Sequence, residues 1–207
     1  MAMLLGIANK TDYVVMIIMA IILIIGVYQF YFWCQRNAFR KPIQLECFID
    51  RHIKFRPWWI WLYSGIYYPI IVFTIFSFND FRQFNYTVIS YIILLVIQML
   101  FFLFLPVQTP PSWREIATKN TPTHRFIRYV QSFDKSNNCF PSMHVSVSTL
   151  TSLHLITNYP PLGLWIWLFP ITIALSALYT KQHFFLDLIP GAIVGWIAFE
   201  AFLTIYV

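Results

Sequence analysis

Charge is the scarcest property of this chain: Asp, Glu, Lys and Arg supply 11% of its 207 residues, where a soluble domain carries about a quarter. That shortage excludes an ordinary water-soluble fold. Cysteine is nearly absent too. Cys34, Cys47 and Cys139 show no C-x-x-C spacing, which leaves a zinc or thioredoxin-like reading without support; small apolar fillers are the expectation for all three. No internal repeat is visible, so residues 1–207 read as a single integral membrane domain. The basic excess is modest, a formal net charge of +6. Beside membrane helices such charge is explained first by topology and by anionic lipid or phosphate partners, and no nucleic acid is expected.

What the chain does have is apolar length: 59% of its residues are hydrophobic and 20% aromatic. "YVVMIIMAIILIIGVYQFYFW", Tyr13 to Trp33, holds no charge over about 20 residues, the length that crosses a hydrocarbon core of roughly 30 Å. A soluble core helix has no need to be apolar on every face. No small-residue cleavage site follows, and the run continues through bulky "QFYFWCQR", so an uncleaved anchor is expected. Trp58 to Phe78, Tyr86 to Val107 and Leu162 to Tyr179 are three more clear spans. Two are weaker. His144 to Thr157, "HVSVSTLTSLHLIT", is short and rich in Ser and Thr, which suits a helix packed inside a bundle. Phe184 to Tyr206 is interrupted by Asp187, Pro190 and Glu200, and carboxylates are costly against lipid. The expectation is an all-α polytopic membrane bundle of about six transmembrane helices. Six spans put twelve of the fourteen basic residues on one side, an asymmetry that supports the count. The same face then carries "TPPSWRE", "NCFPSMH" and "TKQHFFLD". Trp58, Trp59 and Trp61 suit the headgroup belt at the entry to the second span.

In "TKQHFFLD", His183 and Asp187 are four apart. On a helix they share a face, where the carboxylate accepts the proton on one imidazole nitrogen and leaves the other free as nucleophile or base. The plainer alternative is that Asp187 caps a helix or pairs with Lys181, with His183 a polar residue near the headgroups. In "NCFPSMHVS", Pro141 suits the first turn of a helix, Ser142 offers a hydroxyl, and the free amides of that turn face any anion. The plainer alternative there is a Pro-Ser helix start followed by an incidental His144. Taken together, two histidines, an Asp and an anion-binding helix start are what phosphoryl transfer requires: a nucleophile, an acid for the leaving oxygen, and donors around the equatorial oxygens. His154, inside the same helix as His144, is expected only to hydrogen-bond within the bundle, and Glu200 to be neutral or paired internally.

"FPSMH" followed about forty residues later by "TKQHFFLD" resembles the type 2 phosphatidic acid phosphatase superfamily, whose later signatures are P-S-G-H and S-R-x-x-x-x-x-H-x-x-x-D. The likeness is closer to its branch of inositol phosphorylceramide synthases and bacterial relatives, and "IDRHIKFRPWWIWLY" and "LFLPVQTPPSW" extend it over most of the chain from Asp50 onward. The resemblance implies that catalytic motifs lie within residues 106–191. It implies that His183 attacks phosphorus to form a phosphohistidine, that Asp187 orients and charge-stabilises it, and that His144 protonates the leaving alkoxide. Water or an acceptor alcohol, activated by His144, would then release the phosphate. It implies no metal and no other cofactor, and a membrane lipid phosphate as substrate.

The departures are several. Met143 stands where many of these phosphatases have Gly. Ala177, after a retained Ser176, takes the place of the Arg in the third signature, and Lys181 is the candidate substitute as a point charge. The first signature is absent: before the lone Arg-Pro, Arg56-Pro57, its Lys position is Ile49. "PVQTPPSWRE" makes Gln108 and Arg114 candidate phosphate ligands beside Ser142 and Lys181. Three functions follow from these residues: a lipid phosphatase, a phosphotransferase to an alcohol, or an inactive lipid-binding or transport bundle. The oligomeric state is left open. Charge counting places the motif face in the cytoplasm, whereas the resembling enzymes face away from it. Because phosphate binding accounts for part of the basic bias, the extracytoplasmic side is the expectation.

Overall fold

A computed structural model describes residues 9–115 and 117–206. Helix α1 (Lys10–Asn37) starts at Asn9, whose side chain accepts the amides of Thr11 and Asp12 while Asp12 returns a bond to the Asn9 amide. A five-residue helix, α2 (Phe48–His52), precedes the second span. That span, Pro57–Ser77, combines a 3-10 turn, a π-helical stretch at Trp61–Ile66, α3 (Tyr67–Phe73) and a closing 3-10 turn. Helix α4 (Phe81–Phe104) is capped by Asp80, whose carboxylate accepts the Gln83 amide at 2.6 Å. After it come α5 (Pro122–Phe133), α6 (Met143–Asn158), α7 (Leu168–Tyr179, entered through a 3-10 turn from Pro160) and α8 (Phe185–Ile205).

Among the described residues, five helical segments are long and apolar enough to cross a membrane: Lys10–Asn37, Pro57–Ser77, Phe81–Phe104, Pro160–Tyr179 and Phe185–Ile205. The sixth expected segment is α6, whose 16 residues span about 24 Å at the α-helical rise. It lies inside the bundle, with Val145–Ser152, His154 and Leu155 all buried. Its hydroxyls turn back onto its own carbonyls, as Ser148 Oγ does to Val145 and Thr151 Oγ1 to Val147. A helix so furnished needs no lipid-facing side, which is why hydropathy alone reads it weakly.

Small residues set how closely α8 approaches α6. A Cβ on Gly191 would lie 2.7 Å from the Ser142 carbonyl, and one on Gly195 would collide with the Ser146 carbonyl and lie 3.0 Å from Thr149 Cβ. The two glycines, four apart, let the backbones touch along one stripe. The core beside this seam joins Leu94, Val147, Leu150, Phe169, Ile173 and Ala198. His154 is buried and hydrogen-bonds Ser90 Oγ at 3.0 Å, as expected of a bundle residue. Glu200 stands on the exposed face of α8, with no ion pair to another described residue.

Between α4 and α6 the chain crosses the motif face. Isolated parallel bridges join Ile43 to Val107 and Val107 to Asn138, and the Cys139 amide donates to the Val107 carbonyl at 3.0 Å. Sequence reading treated this whole stretch as loop and missed α5. Its signals are a Thr121 cap, Pro122 at the first helical position, and apolar Phe126, Ile127 and Val130 on one side.

Candidate active site

Ser142, not Pro141, marks the start of α6. The Ser142 side chain accepts the Val145 amide at 3.4 Å, so Pro141 precedes the cap instead of occupying the first turn. Met143 and His144 are the first two helical residues, and their amides have no backbone acceptor among the described residues. These are the orphan donors that every helix start leaves. The Ser142 amide donates to the Asp187 carbonyl at 3.0 Å. With Gly191 packed against the Ser142 carbonyl, this bond clamps the first turns of α6 and α8 together.

His183 sits in the short connection from α7 to α8, two residues before the helix begins. The sequence reading placed His183 and Asp187 on one helical face; they meet by a different route. Asp187, in the first turn of α8, reaches back so that Oδ2 accepts the Phe184 amide at 2.9 Å and lies 3.3 Å from His183 Nδ1. The Cys139 carbonyl is closer to that nitrogen, at 2.9 Å. A carbonyl can only accept, so Nδ1 carries the hydrogen and Nε2 keeps its lone pair. Asp187 is fully buried, and its Oδ1 has no hydrogen-bond partner among the described residues.

His144 is held from the opposite side. Its Nδ1 is 2.9 Å from the Tyr63 hydroxyl, the Tyr63 ring stacks on it at 4.1 Å between centroids, and Tyr67 lies at 4.8 Å. Tyr63 belongs to the π-helical stretch, a local rewinding often found at functional sites. The two imidazoles face each other edge to face, with centroids 6.1 Å apart. Each has Nδ1 engaged, and neither Nε2 has a hydrogen-bond partner among the described residues. His144 also lines a cavity of about 500 Å³, together with Tyr63, Tyr67, Asp134 and Gln182. His183 does not line it; its neighbour Gln182 does.

The remaining sequence candidates are placed less simply. Lys181 adopts φ 58°, and its Nζ donates to the Asp50 carbonyl at 2.7 Å while resting 4.4 Å from the Trp113 ring centre. Burial pulls its pKa below the ordinary lysine value, against the opposing charges of Asp50 and Glu46. Arg114 is taken up by the carbonyls of Gln131 and Asp134 and lies 3.5 Å from the Asp134 carboxylate. Gln108 is half-buried, and its amide donates to the Ile43 carbonyl. Ala177, in the place of the signature Arg, is fully buried, and its carbonyl receives the Gln182 amide at 2.9 Å.

Three contributors went unseen in the sequence. Tyr63 and the Cys139 carbonyl hold the imidazoles. Buried Asp50 organises the loop that carries His183, accepting the Phe185 amide at 2.8 Å and the Cys47 amide at 2.9 Å. Cys139 Sγ, His183 and Asp187 also bring ligand-type atoms within 4.8 Å of one another. Burial, followed by the Asp187 charge, pushes the Cys139 thiol pKa well up, and its Sγ lies 2.9 Å from the Ser136 carbonyl.

Fold and site together define a helical membrane bundle with two oriented histidines at one end, an arrangement suited to histidine-based group transfer. The chain belongs to the PAP2 superfamily, whose model matches residues 38–201. Membership supports a phosphatase- or phosphotransferase-type enzyme acting on a lipid phosphate. No curated protein and no solved structure matches the chain.

Proposed function

We propose that this protein hydrolyses a lipid phosphate ester through a phosphohistidine on His183. The observation that carries the reading is the pair of imidazoles 6.1 Å apart, each gripped at Nδ1 and open at Nε2. His183 Nε2 donates its lone pair to phosphorus as the phosphorus–alkoxide bond breaks. Its Nδ1–H stays on the Cys139 carbonyl and Asp187, whose negative charge offsets the positive charge developing on the ring. Protonated His144 gives the proton on Nε2 to the departing alkoxide, while its Nδ1–H donates to Tyr63 oxygen. His144 Nε2, now bare, takes a proton from water as that water attacks the phosphohistidine, which releases phosphate and restores both rings. The free amides of Met143 and His144 face the phosphate oxygens. Ser142 caps the helix that presents them, and Lys181 holds the loop that carries His183. Arg114 and Gln108 act at the headgroup end, Arg114 through Asp134. The motif face is extracytoplasmic on this reading, as in the resembling enzymes.

The same intermediate serves transfer to an alcohol, in the manner of the inositol phosphorylceramide synthase-like branch. The two are separated by supplying a lipid phosphate to purified protein with and without inositol. Release of inorganic phosphate that ignores the added alcohol is the expected result; formation of a new phosphate ester of inositol at the expense of free phosphate would overturn hydrolysis.

Tyr63→Phe removes the hydroxyl and keeps the stacked ring. It should lower kcat on an alkyl phosphate about tenfold, the scale of one lost hydrogen bond. Little should change for a nitrophenyl ester, whose leaving group needs no proton. Equal losses on both esters would mean that the Tyr63 hydroxyl does not act through the leaving-group proton.

A further inference from the structure

Helix α1 lies before residue 38, where the family match begins. It touches the rest of the bundle mainly at two places. Near one end, Met16 is buried with Ile75, Phe78 and Phe84; near the other, Cys34 packs on Phe102, and Tyr31 and Gln35 bond to the Asp134 carboxylate. Between these anchors, apart from a Tyr28–Tyr68 ring contact at 6.2 Å, α1 stands off and leaves the cavity of about 500 Å³. Ala20, Leu23, Ile24, Val27, Tyr28 and Tyr31 line it from α1. Their three- and four-residue spacing puts them on one helical face. Tyr68 and Ile71 of α3 line the opposite side, as do Val88 and Leu95 of α4.

The cavity is graded along its length. His144, Gln182 and Asp134 line one end, and Ile75, Phe78 and Phe84 the other. From Tyr31 to Ala20 is roughly 16 Å at the helical rise, about half the hydrocarbon thickness. The volume is that of a small-ligand site; its lining is mostly apolar, with His144, Asp134 and Gln182 at one end and Thr74 and Thr87 nearer the other, and a few placed polar groups are how such sites orient a ligand.

Resting on the hydrolase reading, we infer that this slot holds one hydrocarbon tail of the lipid phosphate, and that α1, outside the family's matched region, selects the tail. A phosphate at the histidines then places its ester oxygen beside His144, and the attached chain runs down the α1 face toward Phe78. Only a long chain reaches the contacts deep in the slot, so filling the slot partway discriminates against long chains and spares short ones.

Two experiments on the full chain test this. In the first, Ile24→Trp is compared with wild type on a long-chain and a four-carbon alkyl phosphate. The ratio of kcat/KM for long over short should fall about tenfold; an unchanged ratio would overturn the assignment. In the second, wild-type protein is photolysed with a long-chain alkyl phosphate bearing a terminal diazirine, and the adducts are mapped by mass spectrometry. Adducts at Ala20, Leu23 or Ile24 that unlabelled alkyl phosphate suppresses are the expected result. Adducts confined to the outward residues Ile18, Ile22 and Ile25, which are 52%, 63% and 56% exposed, would overturn it. The photolysis needs neither turnover nor a variant. Suppressible slot adducts in a protein that never releases phosphate would sink the hydrolase reading and leave the tail slot standing.

Discussion

His183→Ala should lower kcat/KM for a lipid phosphate by on the order of 10⁴-fold or more, the scale seen when a covalent nucleophile is removed. The expectation comes from how the ring is held. The acceptor-only Cys139 carbonyl at 2.9 Å obliges Nδ1 to carry a hydrogen, which on the proposed reading makes Nε2 the attacking atom. His183 also has two neighbours whose only visible service to it is orientation, the Cys139 carbonyl and Asp187. A His183→Gln variant keeps a donor near those acceptors and lacks the lone pair, so it should fold as wild type and be as inactive as the Ala variant. A bundle that only binds or transports lipid predicts the opposite: neither variant should alter function. Measuring phosphate release from both variants, with thermal unfolding as the folding control, separates the two readings.

His144→Ala should cost about 10²- to 10⁴-fold on an alkyl phosphate, the usual contribution of a positioned acid or base. The loss should shrink markedly on a nitrophenyl phosphate, because nitrophenolate departs without a proton. Recovery will be incomplete, since His144 also activates the water that resolves the intermediate. The Tyr63→Phe variant should deviate in the same direction and by less, as it weakens the grip on Nδ1 and leaves Nε2 in place. A uniform loss across both esters would place His144 in substrate binding instead of proton transfer.

The two histidine motifs were legible because their chemistry is local: His183 and Asp187 are four residues apart, and Ser142 and His144 flank a helix start. Even there the geometry differed from the simplest reading. His183 precedes α8 instead of riding on it, and Asp187 reaches it by way of the cap at Phe184. Pro141 sits before the cap because Ser142 supplies the side chain that the first turn needs. The membrane bundle was legible from charge-free runs, and α6 only weakly, since a helix shielded on all sides by protein can afford hydroxyls.

What sequence could not supply were contacts across long separations. Tyr63 and His144 are 81 residues apart, and Lys181 and Asp50 are 131 apart; nothing in either local pattern announces the partner. Lys181 and Arg114 looked like phosphate ligands because cations were missing from the family signatures. In the fold Lys181 Nζ donates to the Asp50 carbonyl and Arg114 Nη1 to the carbonyls of Gln131 and Asp134, while Arg114 Nη2 has no hydrogen-bond partner among the described residues.

The central claim is the covalent intermediate on His183. Brief incubation with a lipid [³²P]phosphate followed by alkaline denaturation, which preserves phosphohistidine, tests it most directly when the labelled peptide is sequenced. Acid-labile label on the peptide containing His183, chased away by unlabelled substrate and missing from His183→Ala, is the predicted result. Phosphate released at the normal rate with no trappable label on that peptide, or label that persists in His183→Ala, would contradict it.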